Sequence, residues 1–232
     1  MHLGGFAVKD LCLFDLDGTL TDPKEGITKS VSYALNSFGI QVASLDDLVT
    51  FIGPPLRDSF RKYFHFTEKE TEIAVGKYRE YFSETGIFEN FLYQGVSEVL
   101  EQLKAHGITM VIATSKPTVF AKKITEHFGI RKYFDLIAGS ELDGTRSRKS
   151  EVIDYALNIV DPLRAKLPVM IGDREHDIIG ARETGIDSIG VTWGYGSRME
   201  LETAMATRIV DNTNEMCRVI LSWNTALGLE KP

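Results

Sequence analysis

Cysteine is scarce in this sequence, with only Cys12 and Cys217 among 232 residues. The two do not form a CxxC pair and lack zinc-like spacing, which excludes a disulfide framework and argues against a structural zinc site. We expect both cysteines to be reduced, buried thiols.

Long hydrophobic runs are also missing. No stretch of about 18 apolar residues occurs, which argues against a membrane-spanning helix. The first ten residues lack the basic segment followed by an apolar stretch that marks a secretory signal. The sequence therefore predicts an enzyme or binding protein of the cytoplasm.

Positively charged residues are fewer than negatively charged ones. The sequence has 26 lysines and arginines and 33 aspartates and glutamates, which gives a formal net charge of −7. This balance argues against a surface for a nucleic acid polymer or an anionic membrane. The expected partner is a small molecule, and an anionic one would need basic groups gathered locally. The sequence leaves open whether the protein is a monomer or a homodimer.

Several catalytic signatures are absent. There is no GxSxG nucleophile elbow and no GxxxxGK[ST] phosphate loop, and the five histidines are scattered without ligand spacing. Acidic residues are thus the main candidates for chemistry.

Short apolar runs bounded by turn residues recur along the chain and predict buried parallel strands. These runs are residues 11–16, 108–113, 136–138, 168–171, 188–191 and 208–210. Helical patterns with apolar residues at i, i+3, i+4 and i+7 lie between many of them. The alternation predicts an α/β fold with a doubly wound parallel sheet.

One region departs from this alternation. Residues 27–91 show helical patterns in series, with a concentration of aromatic residues, and no second strand is predicted before Ile108. We interpret this region as an insertion with a small helical core of its own.

The strongest candidate site is Asp15-Leu16-Asp17-Gly18-Thr19-Leu20, at the end of the first predicted strand. Ligands of doubly wound sheets bind at the carboxyl ends of the strands. The i, i+2 spacing directs both carboxylates the same way if strand geometry persists, and Gly18 permits a sharp turn.

A second acidic cluster, Gly172-Asp173-Arg174-Glu175-His176-Asp177, follows the run at 168–171. If its loop curls into the next helix, Asp173 meets Asp15 and Asp17 while Asp177 stands behind them. Such a group of hard oxygen ligands suits Mg²⁺, whereas zinc would favour histidine or cysteine. The predicted metal ligands are therefore Asp15, Asp17 and Asp173.

Two further segments supply groups that suit a phosphoryl group. Thr114-Ser115-Lys116-Pro117 follows the second predicted strand of the sheet, and Lys149 begins a predicted helix. Thr114 could donate a hydrogen bond to a phosphoryl oxygen, and Lys149 could offset carboxylate repulsion. Thr114 and Lys149 are predicted catalytic and substrate-binding residues, and Ser115 is a predicted substrate contact.

In the order of these motifs the chain resembles the haloacid dehalogenase-like hydrolases. DLDGT at Asp15, Thr114, Lys149 and GDREHD at Asp173 carry the resemblance, which spans nearly the whole chain. Segments IGPPL, DGTRSRK, GVTWGYG and IVDN are similar to the branch of phosphoglycolate phosphatases and 5′-nucleotidases. The resemblance implies a Rossmann-like core at residues 1–20 and 91–232 and a helical cap domain at residues 21–90.

The resemblance also implies a mechanism for a Mg²⁺-dependent phosphatase. Asp15 would attack phosphorus and form an aspartyl-phosphate, and Asp17 would protonate the leaving oxygen and then activate water. Dehalogenation is disfavoured, since a carbon halide has no leaving oxygen to protonate.

Two alternatives stay open. One is a phosphomutase, although β-phosphoglucomutase-like enzymes place a histidine where this chain has Lys24-Glu25-Gly26-Ile27. The other is a non-catalytic phosphoacceptor switch, a class that has neither DxDGT on its first strand nor a cap of this length.

In the predicted cap, Gly53-Pro54-Pro55-Leu56-Arg57 forms a rigid loop that opens a helix. Arg57 is the nearest cation there that could meet a second anionic group of the substrate in a bidentate pair. We therefore expect Arg57 to contribute to substrate binding.

Overall fold

The structure is a computed structural model that describes residues 9–160 and 167–223. Its strands are β1 (Leu11–Phe14), β2 (Thr21–Asp22), β3 (Phe91–Leu92), β4 (Thr109–Pro117), β5 (Leu136–Ser140), β6 (Pro168–Gly172), β7 (Asp187–Val191) and β8 (Arg208–Val210). Six of them form one parallel sheet in the order β5-β4-β1-β6-β7-β8. The predicted α/β fold with a doubly wound sheet is confirmed.

Nine α-helices are present in the described part of the chain. They are α1 (Lys24–Asn36), α2 (Leu56–Phe64), α3 (Glu68–Tyr81), α4 (Val96–Ala105), α5 (Thr118–His127), α6 (Lys149–Ile159), α7 (Glu175–Glu183), α8 (Arg198–Thr203) and α9 (Thr213–Leu221).

The central strand β1 is buried on both faces, which explains its uninterrupted apolar sequence. Cys12 and Phe14 pack into the cluster that includes α4, α5 and α9, whereas Leu11 and Leu13 pack against α6 and α7. Cys12 and Cys217 are both buried and unpaired, as expected.

The predicted strand at 108–113 ends too early. In the structure β4 continues through Thr114, Ser115 and Lys116 to Pro117, with a register shift against β5 between Ala113 and Pro117. The polar segment is therefore the end of the strand and not the loop after it, because pairing with β5 extends past the apolar residues.

Residues 21–90, here called the cap segment, contain α1, α2 and α3, a 3-10 helix at Leu45–Phe51 and a π-helical turn at Phe82–Gly86. Helices in series were predicted here, and this is confirmed. The aromatic residues pack together, with ring centroids of Phe51 and Phe60 5.0 Å apart and those of Phe60 and Phe66 5.9 Å apart.

Two short strands were not predicted from the sequence. β2 and β3 pair antiparallel, with Thr21 opposite Leu92 and Asp22 opposite Phe91. They join the two ends of the cap segment to the parallel sheet's domain. Two residues are too few to show any hydrophobic periodicity.

Candidate active site

The carboxyl ends of three adjacent strands bring the predicted residues together. Asp15 directly follows β1, Thr114 lies near the end of β4, and Asp173 directly follows β6. Because β1 pairs with β4 on one side and β6 on the other, these residues meet at one edge of the sheet.

A tight turn after β1 draws the two acidic motifs together. Gly18 has φ +85°, and a Cβ atom there would lie 2.3 Å from Asp173 Oδ2. Asp173 is held in this position by the backbone N–H of Tyr195, which donates a 2.7 Å hydrogen bond to Oδ2. Glycine at position 18 is therefore required by both the backbone and the close approach.

Lys149, the first residue of α6, lies buried among the carboxylates. Its Nζ is 2.8 Å from Asp15 Oδ1 and 2.9 Å from Asp177 Oδ1, and it donates a 3.1 Å hydrogen bond to the carbonyl oxygen of Ala113. Burial disfavours the ammonium, but Asp15 and Asp177 outweigh this effect and raise the pKa of Lys149.

Three buried carboxylates, Asp15, Asp173 and Asp177, each offer an oxygen within 4.8 Å of the others. Burial, followed by the charges of Asp177 and Asp15, raises the pKa of Asp173 well above its usual range. Burial likewise raises the pKa of Asp177 to about 6. One lysine does not balance three carboxylates, so a hard divalent cation such as Mg²⁺ fits this donor set.

The metal ligands predicted from the sequence were Asp15, Asp17 and Asp173. The group that the structure brings together contains Asp15 and Asp173 as well, but its third member is Asp177. Asp177 is engaged on both oxygens, since Oδ1 faces Lys149 and Oδ2 accepts a 3.1 Å hydrogen bond from the backbone N–H of Arg174.

The side chain of Asp17 instead faces Lys116, with Oδ2 2.7 Å from Nζ. Its Oδ1 is buried without a hydrogen-bond partner among the described residues. Burial raises the pKa of Asp17, although Lys116 opposes this. The Lys116 ammonium also lies 4.4 Å from the ring centroid of Phe82 in the cap segment.

Sequence reasoning did not select Lys116, although a signal was present. Lys116 stands two residues after Thr114, and residues i and i+2 of a strand share one face. Recognising this required knowing that β4 continues through the segment. Thr114 is buried, and its Oγ1 accepts a 3.3 Å hydrogen bond from the backbone N–H of Lys116.

A cavity of about 260 Å³ lies between the sheet edge and the cap segment. Asp15, Asp17, Thr114, Ser115 and Lys116 line it on one side. The cap segment lines the other with Phe51, Gly53, Pro54, Pro55, Leu56, Arg57, Asp58, Arg61, Val75, Tyr78, Arg79 and Phe82, among others. The site therefore combines carboxylates, hydroxyls and cations with an apolar wall.

Arg57 lines this cavity, but its guanidinium is already engaged. Its Nε and Nη2 atoms donate hydrogen bonds of 2.5 and 2.9 Å to the two carboxylate oxygens of Glu72. This bidentate pair occupies the Nε–Nη2 edge of the guanidinium and leaves only the Nη1–Nη2 edge for a substrate carboxylate. Its role as a substrate contact stays a prediction.

Similarity to known proteins extends over most of the chain. The sequence profile of the family described as haloacid dehalogenase-like hydrolase matches residues 12–191. A Pseudomonas aeruginosa protein named 5′-nucleotidase is 49% identical over 195 residues, covering 84% of this chain and 88% of that protein. A Mycobacterium tuberculosis protein named tyrosine-protein kinase PtkA is 41% identical over 186 residues, covering 80% of this chain and 63% of its own length.

Among solved structures, a Clostridium acetobutylicum protein described as a predicted phosphatase superposes with a TM-score of 0.89. It is 50% identical, and the match covers 93% of this chain and 99% of that one. No helix within residues 9–160 and 167–223 has the length and apolar character needed to cross a bilayer.

Proposed function

The chain belongs to the haloacid dehalogenase-like hydrolases and is a phosphatase of that family, and we propose that it hydrolyses small phosphomonoesters through an aspartyl-phosphate on Asp15, with Mg²⁺ as cofactor. The observation that carries the proposal is the position of Asp15. This carboxylate lines the cavity and is held by Lys149 at 2.8 Å.

Asp15 is suited to be the nucleophile because its carboxylate lines the cavity and is held in one orientation. The Lys149 ammonium fixes Oδ1, and burial shields the pair from water. Attack on phosphorus would form the aspartyl-phosphate and release the alcohol, which splits one difficult hydrolysis into two easier steps.

Asp17 would act as general acid and then as general base. Its carboxyl lines the same cavity, and its unpartnered Oδ1 is free to give a proton to the leaving oxygen. The same group would then take a proton from the water that attacks the aspartyl-phosphate. Such assistance is typically worth about 10² to 10⁴ in rate.

Asp15 and Asp173 would hold Mg²⁺, and Asp177 would position Lys149 behind them. Because the Asp17 carboxyl faces Lys116 and is assigned to proton transfer, its role as a third metal ligand stays a prediction. The cation would supply charge stabilisation at the phosphoryl oxygens. Thr114 and Ser115 would donate hydrogen bonds to those oxygens, and Lys149 would offset the negative charge of Asp15 as the phosphoryl group approaches.

The 5′-nucleotidase and phosphoglycolate phosphatase activities are the finer forms of this proposal. The relative named 5′-nucleotidase supports the first, and the small cavity with apolar walls accommodates a compact organic group in either case. The phosphomutase alternative is less favoured, since no histidine occurs among residues 24–27 at the start of α1.

The test is phosphate release by the purified protein from nucleoside 5′-monophosphates, phosphoglycolate and sugar phosphates, with Mg²⁺ and with a chelator. Asp15→Asn is expected to abolish turnover while circular dichroism stays unchanged, because an amide matches the carboxylate in size but is not an anionic nucleophile. Acid quenching with phosphate-labelled substrate should trap label on the wild-type protein alone. A folded Asp15→Asn variant that keeps its activity would refute the proposal.

A further inference from the structure

Lys116 is a buried cation that the mechanism proposed above does not use. Its Nζ lies 2.7 Å from Asp17 Oδ2, and the side chains of Lys116 and Asp17 are only 6% and 9% exposed. Both residues line the cavity. A buried ammonium is unfavourable unless it is paired, so the ion pair fixes these two side chains relative to each other.

The backbone of Lys116 is held by the neighbouring strand β5. Pro117 pairs with Ser140, and Ser140 Oγ donates a 2.8 Å hydrogen bond to the carbonyl oxygen of Ser115. Gly139 allows the two strands to approach closely, since a Cβ atom there would lie 2.4 Å from the carbonyl oxygen of Lys116. The lysine side chain therefore projects from the end of a paired strand, which can hold a functional group more precisely than a loop.

Aromatic rings surround the ammonium as well. Its Nζ is 4.4 Å from the ring centroid of Phe82, which is within the range of a cation–π interaction. Phe82 packs in turn against Tyr78 and Phe120, with ring centroids 5.2 and 5.3 Å away. Among residues 9–160 and 167–223, the carboxylate that forms an ion pair with Lys116 is that of Asp17 alone.

The ion pair leaves the two oxygens of Asp17 in different environments. Oδ2 is held by Lys116, whereas Oδ1 is buried without a hydrogen-bond partner in the described part of the chain. Proton transfer requires an oxygen within hydrogen-bond reach of the reacting atom and a side chain that does not rotate away. A carboxyl group held through one oxygen keeps the other available, which is the arrangement that a general acid and base needs.

We propose that Lys116 is a positioning residue, which holds the Asp17 carboxyl through Oδ2 so that Oδ1 can exchange protons with the leaving group and with water. The proposal rests on the phosphatase function proposed above and adds a residue on which its proton transfers depend.

The proton transfers take place in two steps, and Lys116 keeps its own proton in both. In the first, Asp17 Oδ1 gives its proton to the leaving oxygen as the bond between that oxygen and phosphorus breaks and the bond between Asp15 and phosphorus forms. In the second, Oδ1 takes a proton from water as the water oxygen bonds to phosphorus and the bond to Asp15 breaks. Lys116 acts through Asp17 and does not touch the reacting atoms.

The competing role for Lys116 is a direct contact with the phosphoryl group, since its side chain lines the cavity. The two roles have different consequences. A positioning residue acts through Asp17, so its removal should matter only while the Asp17 carboxyl is present. A substrate contact acts independently of Asp17, so its loss would add to the loss caused by Asp17→Asn.

The experiment measures kcat and KM for ethyl phosphate and 4-nitrophenyl phosphate in Lys116→Met, Asp17→Asn and the double variant. Methionine keeps an unbranched apolar side chain against Phe82 but cannot pair with Asp17. Lys116→Met should lower kcat for ethyl phosphate about tenfold to a hundredfold with little change in KM, because the acid is misplaced while substrate binding is retained. The double variant should be no slower than Asp17→Asn.

The two esters separate the steps of the reaction. The leaving group of 4-nitrophenyl phosphate needs no proton, so only the second step should be slow in Lys116→Met. Rapid mixing should then show a larger burst of nitrophenol than in the wild type.

Further variants separate positioning from structure. Lys116→Arg retains a cation that can pair with Asp17 and should restore part of kcat. Lys116→Gln, with a shorter and uncharged side chain, repeats the test if Lys116→Met does not fold. Lys132→Met is the matched control, because Lys132 Nζ also lies over an aromatic ring, 5.0 Å from the centroid of Tyr133, but is outside the cavity. Its kcat and KM should equal those of the wild type.

An unchanged kcat in Lys116→Met would overturn the proposal, as would a rise in KM alone or additive losses in the double variant. Each of these results would leave the proposed function intact, because the wild type would still release phosphate and trap label on Asp15. A wild-type protein that hydrolyses neither ester and traps no label would instead count against the phosphatase function itself.

Discussion

Arg174 of the sheet domain donates a 2.7 Å hydrogen bond from Nη1 to the backbone carbonyl oxygen of Ile52 in the cap segment. The same guanidinium bonds Glu200 through Nε at 2.9 Å and packs against Gly53. Since Arg174 directly follows Asp173, one loop contributes both a candidate metal ligand and a contact that holds the cap segment over the cavity.

We expect Arg174→Ala to raise KM several-fold, because the cap segment loses a contact that keeps the cavity closed. The free energy of unfolding should fall by about 1–3 kcal/mol, as for a hydrogen bond to a charged group. Steady-state kinetics and urea denaturation would measure the two effects.

Arg182→Ala is the matched control for this prediction. Arg182 Nη1 donates a 3.3 Å hydrogen bond to the carbonyl oxygen of Ala204, and both residues belong to the sheet domain. It should lower stability without changing KM. Equal changes in KM for the two variants would contradict a specific role for the contact between Arg174 and Ile52.

Asp17→Asn should lower kcat by about 10² to 10⁴ for alkyl phosphates, because the variant lacks the proposed general acid and base. With 4-nitrophenyl phosphate, whose leaving group needs no proton, the first step should proceed and the second should stall. Rapid mixing should then show a burst of nitrophenol of about one equivalent. Asp58→Asn, at another carboxylate that lines the cavity, should show no burst. Steady release without a burst in Asp17→Asn would argue against its role in dephosphorylation.

The pH dependence of stability should report on Asp177. Burial raises its pKa to about 6, so in the folded state it holds a proton at pH values where the unfolded chain has released it. Its contribution to the free energy of unfolding is therefore fully present below about pH 4 and is lost as the pH rises through 6. When a chelator keeps the site free of metal, this contribution to the free energy of unfolding falls by an amount on the order of 2–3 kcal/mol.

Denaturation of wild type and Asp177→Asn at pH 5 and pH 7.5 would measure this contribution. The pH dependence should be smaller in Asp177→Asn. Mg²⁺ should stabilise the wild type most at the higher pH, where the carboxylates are ionised. An identical pH dependence in the two proteins would show that Asp177 titrates normally.

Gly18→Ala should destabilise the protein strongly and weaken Mg²⁺ binding, because the added methyl group would displace Asp173. Gly39→Ala separates this effect from backbone strain. Gly39 has φ +72°, close to that of Gly18, but nothing lies within 4 Å of its would-be Cβ. Gly39→Ala should cost only about 1 kcal/mol. Calorimetry with and without Mg²⁺ would measure both, and similar losses in the two variants would contradict the close approach to Asp173.

The positions of Asp15, Thr114 and Asp173 could be predicted because each is tied to the end of a buried strand, and parallel strands end at a common edge. Lys149 could be predicted as a helix-start residue, but its insertion between Asp15 and Asp177 depends on how α6 packs on the sheet. These side chains are 134 and 28 residues from Lys149 in sequence, and nothing local encodes their approach.

The cap side of the site was harder to predict. Arg79 reaches Leu142 across 63 residues, and Arg57 meets Glu72 only because α2 and α3 lie side by side. Sequence reasoning chose Arg57 from its position after two prolines, a local signal that contains no information on which arginine lacks a carboxylate partner. Charge compensation between helices is a property of tertiary packing.

The pairing of β2 with β3 places Asp22 opposite Phe91, so the polypeptide leaves the sheet domain and returns to it about one strand spacing away, roughly 4.8 Å. Because the two ends lie so close together, the length of the inserted unit does not affect the positions of the strands that precede Asp15 and Asp173, although contacts such as that of Arg174 with Ile52 connect the present unit to the sheet domain. We therefore expect that the cap segment can be lengthened, shortened or exchanged for another helical unit while the arrangement of the three aspartates is retained. If the proposed function is correct, substrate choice should be changeable without altering the acidic site, and grafting the corresponding segment of a relative between residues 22 and 91 would be the first experiment.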